Sequence, residues 1–341
     1  MTATYTAAAA QPAKPKARPR QIHPSVPHQP LTTDPVEMLK YADIVLINSS
    51  GGKDSQAMLS YVFELARTHG LTAKIVVVHA DLEDGIEWPG TRELAELQAR
   101  LLGIRRFEVV KAEGGNLLAR VRERYGKLKA KADAEGKPVA PAWPSSSARW
   151  CTSDLKRGPI RKLMTALVAE HEHLGRPVRI LNCIGQRGEE STNRAKLAAV
   201  EVDRPASNGR RHVTVWRPIH QWREHQVWTE IARSALPYHE AYDWGMRRLS
   251  CSFCVLGCAE DVVLAARLRP DVAAQYADME LYVETDFKQG LSMREIIRRA
   301  QALDSQAASG HLVRPAKGTA MTNAVGRKVA ADYMRRLTLA A

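Results

Sequence analysis

The sequence predicts an α/β fold: an open, mostly parallel sheet with helices on both faces and a helical appendage toward the C-terminal end. Three observations carry that expectation. From residue 43 onward, short runs rich in β-branched residues alternate with stretches of helical periodicity. A glycine-rich turn joins the first such run to the first such helix. Polar, glycine-containing segments recur after the apolar runs, where open parallel sheets bind their ligands.

The elements follow in order. Residues 43–49 (DIVLINS) read as a buried strand, and Asp54 to His69 carries Met58, Leu59, Val62, Phe63, Leu65 and Ala66 at helical spacing. Lys74 to Ala80 is a second strand. Thr91 to Leu102 is a helix closed by Gly103, since glycine adopts the left-handed cap conformation without strain. Phe107 to Lys111 is a third strand, and Asn116 to Ala134 a basic helix. Leu155 to Leu174 reads as one helix stopped by Gly175, Val178 to Ile184 as a fourth strand and Val213 to Arg217 as a fifth. Helices are expected at Glu224 to Ala235, Glu260 to Leu268, Val272 to Val283 and Met293 to Leu303. The boundaries that result are a disordered basic tail at 1–35, an α/β nucleotide domain at 36–245, a cysteine-bearing helical region of the same unit at 246–305, and a partly helical basic tail at 306–341.

Composition narrows the class. In 341 residues, 45% hydrophobic and 26% charged content is that of a globular chain, not a fibrous or wholly disordered one. No apolar run approaches membrane-spanning length and no secretory leader is legible, so a cytoplasmic protein without a membrane partner is expected. Five cysteines, mostly late in the chain, read as a metal or redox site and not as a disulfide framework. The net charge of +13 is uneven: residues 1–33 hold +4 and 311–341 hold +5, leaving +4 for everything between. Basic tails suit a polyanion such as nucleic acid, and are equally the composition of plain solvated tails.

The turn Ser50-Gly51-Gly52-Lys53-Asp54-Ser55 has a legible chemistry. Glycines let backbone amides approach an anion, the helix start adds favourable potential, and Lys53, Ser50 and Ser55 add a charge and two hydroxyls. Asp54 could cap the helix or hold a Mg²⁺ that bridges phosphates. The turn is neither of the familiar dinucleotide or Walker-type loops. After the fourth strand, Arg187 and Arg194 flank Glu189, Glu190 and Ser191, and guanidinium forks match phosphate or sulfate oxygens. Cys251, Cys254 and Cys258 are compactly spaced, and Cys151 supplies a fourth thiolate; four thiolates hold zinc or an iron–sulfur cluster, which spacing alone does not separate. Cys183 lies inside an apolar strand and reads as a buried small hydrophobe, Trp216, Trp222 and Trp228 as core, and His79 as a hydrogen-bonded strand-end group. Tyr238 and Trp244 are the better base-stacking candidates.

These segments together resemble one family. The loop is similar to that of the PP-loop ATP pyrophosphatases, and four further segments resemble the phosphoadenosine phosphosulfate (PAPS) reductase family. They are residues 79–91 around Asp81, Arg149-Trp150-Cys151-Thr152 with Leu155-Lys156, residues 185–194, and the stretch from Pro218 to the Cys251–Cys254 pair. The resemblance spans roughly residues 40–290. It implies Ser50, Gly51, Gly52, Lys53, Asp54, Ser55, Asp81, Arg187 and Arg194 as nucleotide-binding, and Lys53, Asp54 and Arg187 as catalytic. The nucleotide it implies is ATP, adenylylsulfate (APS) or PAPS, with Mg²⁺. It also tips the set Cys151, Cys251, Cys254 and Cys258 toward a 4Fe–4S cluster, with zinc the alternative. Two departures stand out. Trp150-Cys151 replaces a pair of cysteines, and no cysteine follows Cys258 where sulfonucleotide reductases carry their nucleophile. Three readings result: an ATP-splitting enzyme of sulfur chemistry that transfers sulfur to nucleic acid with a protein sulfur or electron donor; an APS/PAPS reductase releasing sulfite; and a non-catalytic nucleotide-sensing or nucleic-acid-binding module.

Overall fold

Strand β1 (Ile44–Asn48) is buried along almost its whole length and sits in the middle of a six-stranded sheet. Its partners are β2 (Ile75–Asp81), pairing Val45 with Ile75, and β4 (Val178–Ile184), pairing Ile44 with Ile180, both parallel. Beyond β2 lies β3 (Phe107–Lys111), and beyond β4 lies β6 (Arg211–Trp216), again parallel. The strand order is β3-β2-β1-β4-β6-β5, and β5 (Val200–Val202) closes one edge antiparallel to β6. The computed structural model describes residues 32–308, so the expected tails fall almost wholly outside the described residues.

Eleven helices are described: α1 (Pro35–Tyr41), α2 (Lys53–Thr68), α3 (Thr91–Leu101), α4 (Leu117–Glu135), α5 (Trp150–Thr152), α6 (Gly158–Ala169), α7 (Thr192–Ala195), α8 (Glu224–Ser234), α9 (Ala259–Leu268), α10 (Pro270–Val283) and α11 (Met293–Ala308). Alternation along the strands sends side chains to two cores. Val45, Ile47, Val77, Leu181 and Cys183 pack with Met38, Met58, Leu59 and Ala99 on one face. Ile44, Leu46, Val76, Val78 and Ile180 pack with Met164, Leu167 and Val168 on the other. Helices therefore cover both faces, as the continuous apolar strands require. A third core joins α4 to α9, α10 and α11 through Val121, Tyr125, Trp143, Phe253 and Tyr276, and takes in Leu82, Ile86 and Trp88 from the loop after β2. No helix among the described residues is long and apolar enough to cross a membrane.

Three elements differ from the sequence reading. The expected helix from Leu155 to Leu174 is instead a π-turn at Ser153–Arg157, then α6, then a 3-10 turn at Glu172–Leu174. Pro159, with no amide hydrogen, is placed at the start of α6, where a helix tolerates it. Helix α1 begins at Pro35, inside the expected tail, under the Asp34 cap that accepts from the Glu37 amide at 2.9 Å. Strand β5 has only three half-buried residues and no periodic signature.

Asp43, just before β1, ties the sheet's base together. It accepts from Arg176 at 2.7 and 2.8 Å, from Arg179 Nη2 at 2.9 Å and from the Arg179 amide at 2.8 Å. Burial pushes its carboxyl up, but the hydrogen bonds from Arg176 and Arg179 outweigh that and hold it well below the usual carboxylate range. A depressed pKa contributes stability that is present above the unfolded value of about 3.9 and lost as pH falls below it. Asp43→Asn is expected to cost about 2 kcal/mol in urea unfolding at pH 7 and to flatten the acid limb of the stability–pH curve. An unchanged midpoint would make this cluster a surface ornament.

Candidate active site

Between β1 and β4 the strand order reverses, with β2 and β3 on one side and β6 and β5 on the other. The crevice at such a point, beyond the strand carboxyl ends, is the natural ligand site of an open parallel sheet. Here it is lined by Ser50, Gly52, Asp54 and Ser55 from the loop after β1, and by Gly185, Glu190 and Arg194 from the loop after β4. Arg149, Cys151 and Lys156 line it from the α5 region, and Tyr242, Arg248, Cys251 and Cys254 from the segment before α9.

The loop is self-braced. The Ser55 hydroxyl donates to the Gly52 carbonyl at 2.8 Å and accepts from the Ser50 amide at 3.1 Å, and the two serine hydroxyls lie 3.1 Å apart. Gly51 has φ +70°, the left-handed region that favours glycine, and a Cβ there would meet Thr91 Cγ2 at 2.8 Å. Gly52, at φ −84°, is the N-cap of α2 and supplies no side-chain cap. The amides of the first helical turn have no intrahelical acceptor. Tyr242 takes one of them, its hydroxyl accepting from the Lys53 amide at 2.9 Å and from the Leu249 amide at 3.2 Å. Amides exposed at a helix start in this way are the kind of donors that bind anions.

Several expected residues are placed otherwise. Lys53 is buried, and its ammonium donates to the Arg247 carbonyl at 2.9 Å, with Asp54 at 3.6 Å and Glu224 at 3.5 Å. It bolts the loop to the C-terminal region instead of facing the cleft. Asp54 neither caps α2 nor stands free for Mg²⁺: Arg187 Nε donates to it at 2.5 Å. A carboxylate held between two cations has little left for a third, so a divalent ion would have to enter with the phosphates. Arg187 is itself buried, bridging Asp54 and Glu189, both at 2.5 Å, and is not in the cleft lining. Asp81 accepts from the Glu83 amide at 2.8 Å and lies 4.0 Å from Arg92, outside this cleft. His79 is engaged at both ring nitrogens, with the Ser49 carbonyl at 3.0 Å and Glu87 at 3.1 Å.

Arg194 does reach the cleft, and two arginines without an assigned role in the sequence reading join it. Arg194 pairs with Glu190, which also has Arg248 at 3.4 Å, while Arg149 has no ion pair among the described residues. Burial, together with the charges of Arg248 and Arg149, pulls Arg194 down to about 10. Arg149, Lys156, Arg194 and Arg248 thus line the cleft against the carboxylates of Asp54, Glu87 and Glu190, a lining with a small excess of positive charge. Gly185 was also passed over; a Cβ there would meet the Asp54 carbonyl and Ser55 Cα, both at 3.0 Å. The local signals existed: Arg149 stands two residues before Cys151, and Arg247-Arg248 just before Cys251.

The cysteines divide. Cys151, Cys251 and Cys254 line the cleft beside Lys156, bringing together positions a hundred residues apart. Burial pushes the Cys251 thiol up to about 12 against the opposing pull of Lys156, and burial likewise raises Cys151. For Lys156, burial opposes the charge, yet Cys251, Glu87, Cys254 and Cys151 outweigh it and keep the ammonium above the ordinary lysine range. Cys258 lies apart from them. It is the N-cap of α9, its sulfur accepting from the Asp261 amide at 3.4 Å. Among the described residues no three His, Cys, Asp or Glu side chains stand close enough, as placed, to share one metal ion. Of the four expected cysteines, Cys151, Cys251 and Cys254 line the cleft and Cys258 does not; thiolates are the donors a thiophilic metal or cluster takes. Of the aromatic candidates, Tyr238 is buried with its hydroxyl donating to Asp243 at 2.7 Å, while Trp244 is 41% exposed beside Trp88.

Comparison with known proteins finds relatives of the following kinds. An uncharacterised 37.8 kDa protein of Escherichia phage 186 is 24% identical over 269 residues, covering 73% of this chain and 78% of that one. An adenosine 5'-phosphosulfate reductase of Neisseria meningitidis is 36% identical over 70 residues, which is 20% of this chain and only 27% of the reductase. Among solved structures, a phosphate complex of phosphoadenylyl-sulfate reductase from Candida auris matches at 17% identity and a TM-score of 0.37, over 64% of this chain and 87% of that one. The family model described as the phosphoadenosine phosphosulfate reductase domain matches residues 44–257, from the first residue of β1 to just past Cys254, and the chain belongs to that family.

Proposed function

We propose that this protein is an enzyme that binds an adenine nucleotide in the cleft between β1 and β4 and uses it for sulfur chemistry. One observation carries the reading: a single cleft is lined by the Ser50–Ser55 loop, by Arg149, Arg194 and Arg248, and by three cysteine thiols. The loop amides and serine hydroxyls would take phosphates, and the arginines would take the outer anionic end and hold charge that develops as a phosphoanhydride bond breaks. The ligand read here is ATP, split between its α and β phosphates, with Mg²⁺ carried in by the phosphates. The Cys151, Cys251 and Cys254 thiols would hold a metal group, a 4Fe–4S cluster or zinc, which when bound supplies a site for sulfur. The basic tails would recruit a polyanionic acceptor such as nucleic acid, with sulfur or electrons coming from a separate protein. The family assignment and the short stretch shared with APS reductases favour a second reading, reduction of APS or PAPS to sulfite in the same cleft.

The test is a nucleotide panel on anaerobically purified protein, by calorimetry with pyrophosphate and sulfite assays. Pyrophosphate release from ATP supports the first reading, and sulfite release from APS or PAPS with a thiol donor supports the second. Arg149→Gln, at a guanidinium with no partner to strand, is expected to weaken the bound nucleotide about tenfold, or roughly 1.4 kcal/mol. Failure of every adenine nucleotide to bind would sink both readings.

A further inference from the structure

We propose that a groove lined by α9, α11 and the segment just before Arg248 docks single-stranded nucleic acid, with one unpaired base on Trp244 and the flanking phosphates on Arg247, Arg267, Arg298 and Arg299. The inference rests on the polyanionic acceptor in the reading above and says where on the described surface that acceptor lies. The groove measures about 520 Å³, within the range of pockets that hold a nucleotide-sized ligand. Trp244 is 41% exposed, and it is the one exposed tryptophan among the described residues. Its ring stands 6.1 Å from that of buried Trp88, tilted at 52°, so the core braces the ring while much of it stays open to solvent. A braced, open aromatic is a stacking platform for a nucleobase. Only a single strand offers one, because a duplex keeps its base faces covered by their neighbours.

Charge around the ring suits a strand. The four guanidinium groups line the groove against Glu260 and Asp261. Asp261 is buried and accepts from the Arg247 amide at 3.2 Å, while the Arg247 side chain has Glu260 only at 3.9 Å, both largely exposed. Arg298 and Arg299 share Glu295, each at 2.7 Å, and Arg267 meets Asp304 at 2.7 Å. Ion pairs open to solvent contribute little, so a phosphate can take over a guanidinium at small cost. More positive charge is attached to the same wall: Leu303 lines the groove near the end of α11 at Ala308, and residues 311–341 follow with six Lys/Arg against Asp332. An acidic peptide would satisfy the guanidinium groups but give the tryptophan no flat partner, so the combination favours nucleic acid. The groove also adjoins the candidate active site. Arg247 lines the groove and Arg248 the nucleotide cleft, and the Arg247 carbonyl takes the Lys53 ammonium at 2.9 Å. A strand in the groove therefore lies against the segment that also walls the cleft.

The experiment measures the fluorescence anisotropy of a labelled oligothymidylate of about 12 nucleotides, and of a duplex of the same length, on full-length protein. Wild type is compared with Trp244→Ala, Trp244→Phe and the double variant Arg298→Gln/Arg299→Gln, with circular dichroism melts as the folding control. Trp244→Ala is expected to weaken single-strand binding about tenfold and to leave duplex binding unchanged, because one stacked base is lost. Trp244→Phe keeps a π-face and should stay within about threefold of wild type. The arginine variant should weaken single strand and duplex alike, about fivefold, and flatten the salt dependence. Single-strand binding by Trp244→Ala within about twofold of wild type overturns the proposal, as does an equal loss for single strand and duplex. Should Trp244→Ala melt early, the arginine variant decides: unchanged affinity and salt dependence there mean that the tails alone hold the strand, and the proposal falls. Wild type that binds no oligonucleotide overturns it as well and leaves the groove to a protein partner. ATP binding is measured on the same samples. These failures with ATP still bound refute this inference alone, whereas loss of ATP binding in wild type refutes the functional reading beneath it.

Discussion

Gly51→Val is expected to abolish nucleotide binding and to destabilise the fold, whereas Gly52→Val should abolish binding at a smaller cost in stability. The two neighbours differ in backbone. Gly51 sits at φ +70°, and a Cβ there would stand 2.8 Å from Thr91 Cγ2 and 3.0 Å from the Thr91 carbonyl. A β-branched residue in the left-handed region costs about 1–2 kcal/mol before any collision. The carbonyl cannot swing aside without moving the first turn of α3, so about 3 kcal/mol in all is the expected loss. Gly52 is extended, and its Cβ would meet only ordinary neighbours, Tyr242 Oη and the Leu249 carbonyl at 3.4 Å. Valine's methyl groups would press further on the Tyr242 hydroxyl that takes the Lys53 amide, crowding the turn where an anion would approach backbone. Urea unfolding and calorimetry on both variants separate the two costs. Equal stability losses would mean that the loop's conformation is not what Gly51 secures.

Arg187→Ala is expected to remove about 3 kcal/mol of stability, because it strands Asp54, itself mostly buried, and half-exposed Glu189. Arg187→Lys keeps the charge but can no longer fork between two carboxylates, and should cost about half as much. In this arrangement Arg187 is a positioning residue: it fixes the first turn of α2 against the loop after β4, and nucleotide affinity should fall in step with stability. The discriminating measurement is the Tm of each variant with and without ATP. Unchanged Tm in the free protein together with a hundredfold loss of affinity would return Arg187 to the ligand-contacting role its motif implied.

The parts of this molecule legible in the sequence are those decided by local chemistry. Val178–Ile184 is a strand at the expected residues, because a run of mostly buried branched apolar side chains has few other uses, and Phe107–Lys111 is the half-buried edge strand that its Phe and paired Val predict. The loop at Ser50–Ser55 could be read because glycine and serine at a strand-to-helix junction have a direct electrostatic meaning. What was not legible depends on partners far along the chain. Lys53 looks like a phosphate ligand until the Arg247 carbonyl, 194 residues away, claims its ammonium. Cys151 lines the same cleft as Cys251 and Cys254, while the Cys258 sulfur accepts the Asp261 amide at the start of α9, a choice that spacing does not specify. Arg248 carries no motif of its own, and Arg149 belongs to the cysteine segment without a role that the segment assigns; both matter through the cleft they line.

Tyr242 gives this fold a particular history on the ribosome. Its hydroxyl holds the amides of Lys53 and Leu249 together, across separations of 189 and 7 residues. The first fifty residues after the N-terminal tail leave the exit tunnel early, and strand β1 can form contacts with β2 soon afterward. The anion-binding loop between β1 and α2 cannot be fastened at that stage, because the tyrosine that fastens it has not been made. A nascent chain halted before residue 242 would therefore lack both the hydroxyl that takes the Lys53 amide and the Arg247 carbonyl that holds its ammonium. Only after about three quarters of the polypeptide has emerged does the loop acquire its working shape, so the binding site is among the last features of the molecule to mature, although its defining residues are among the first to be translated.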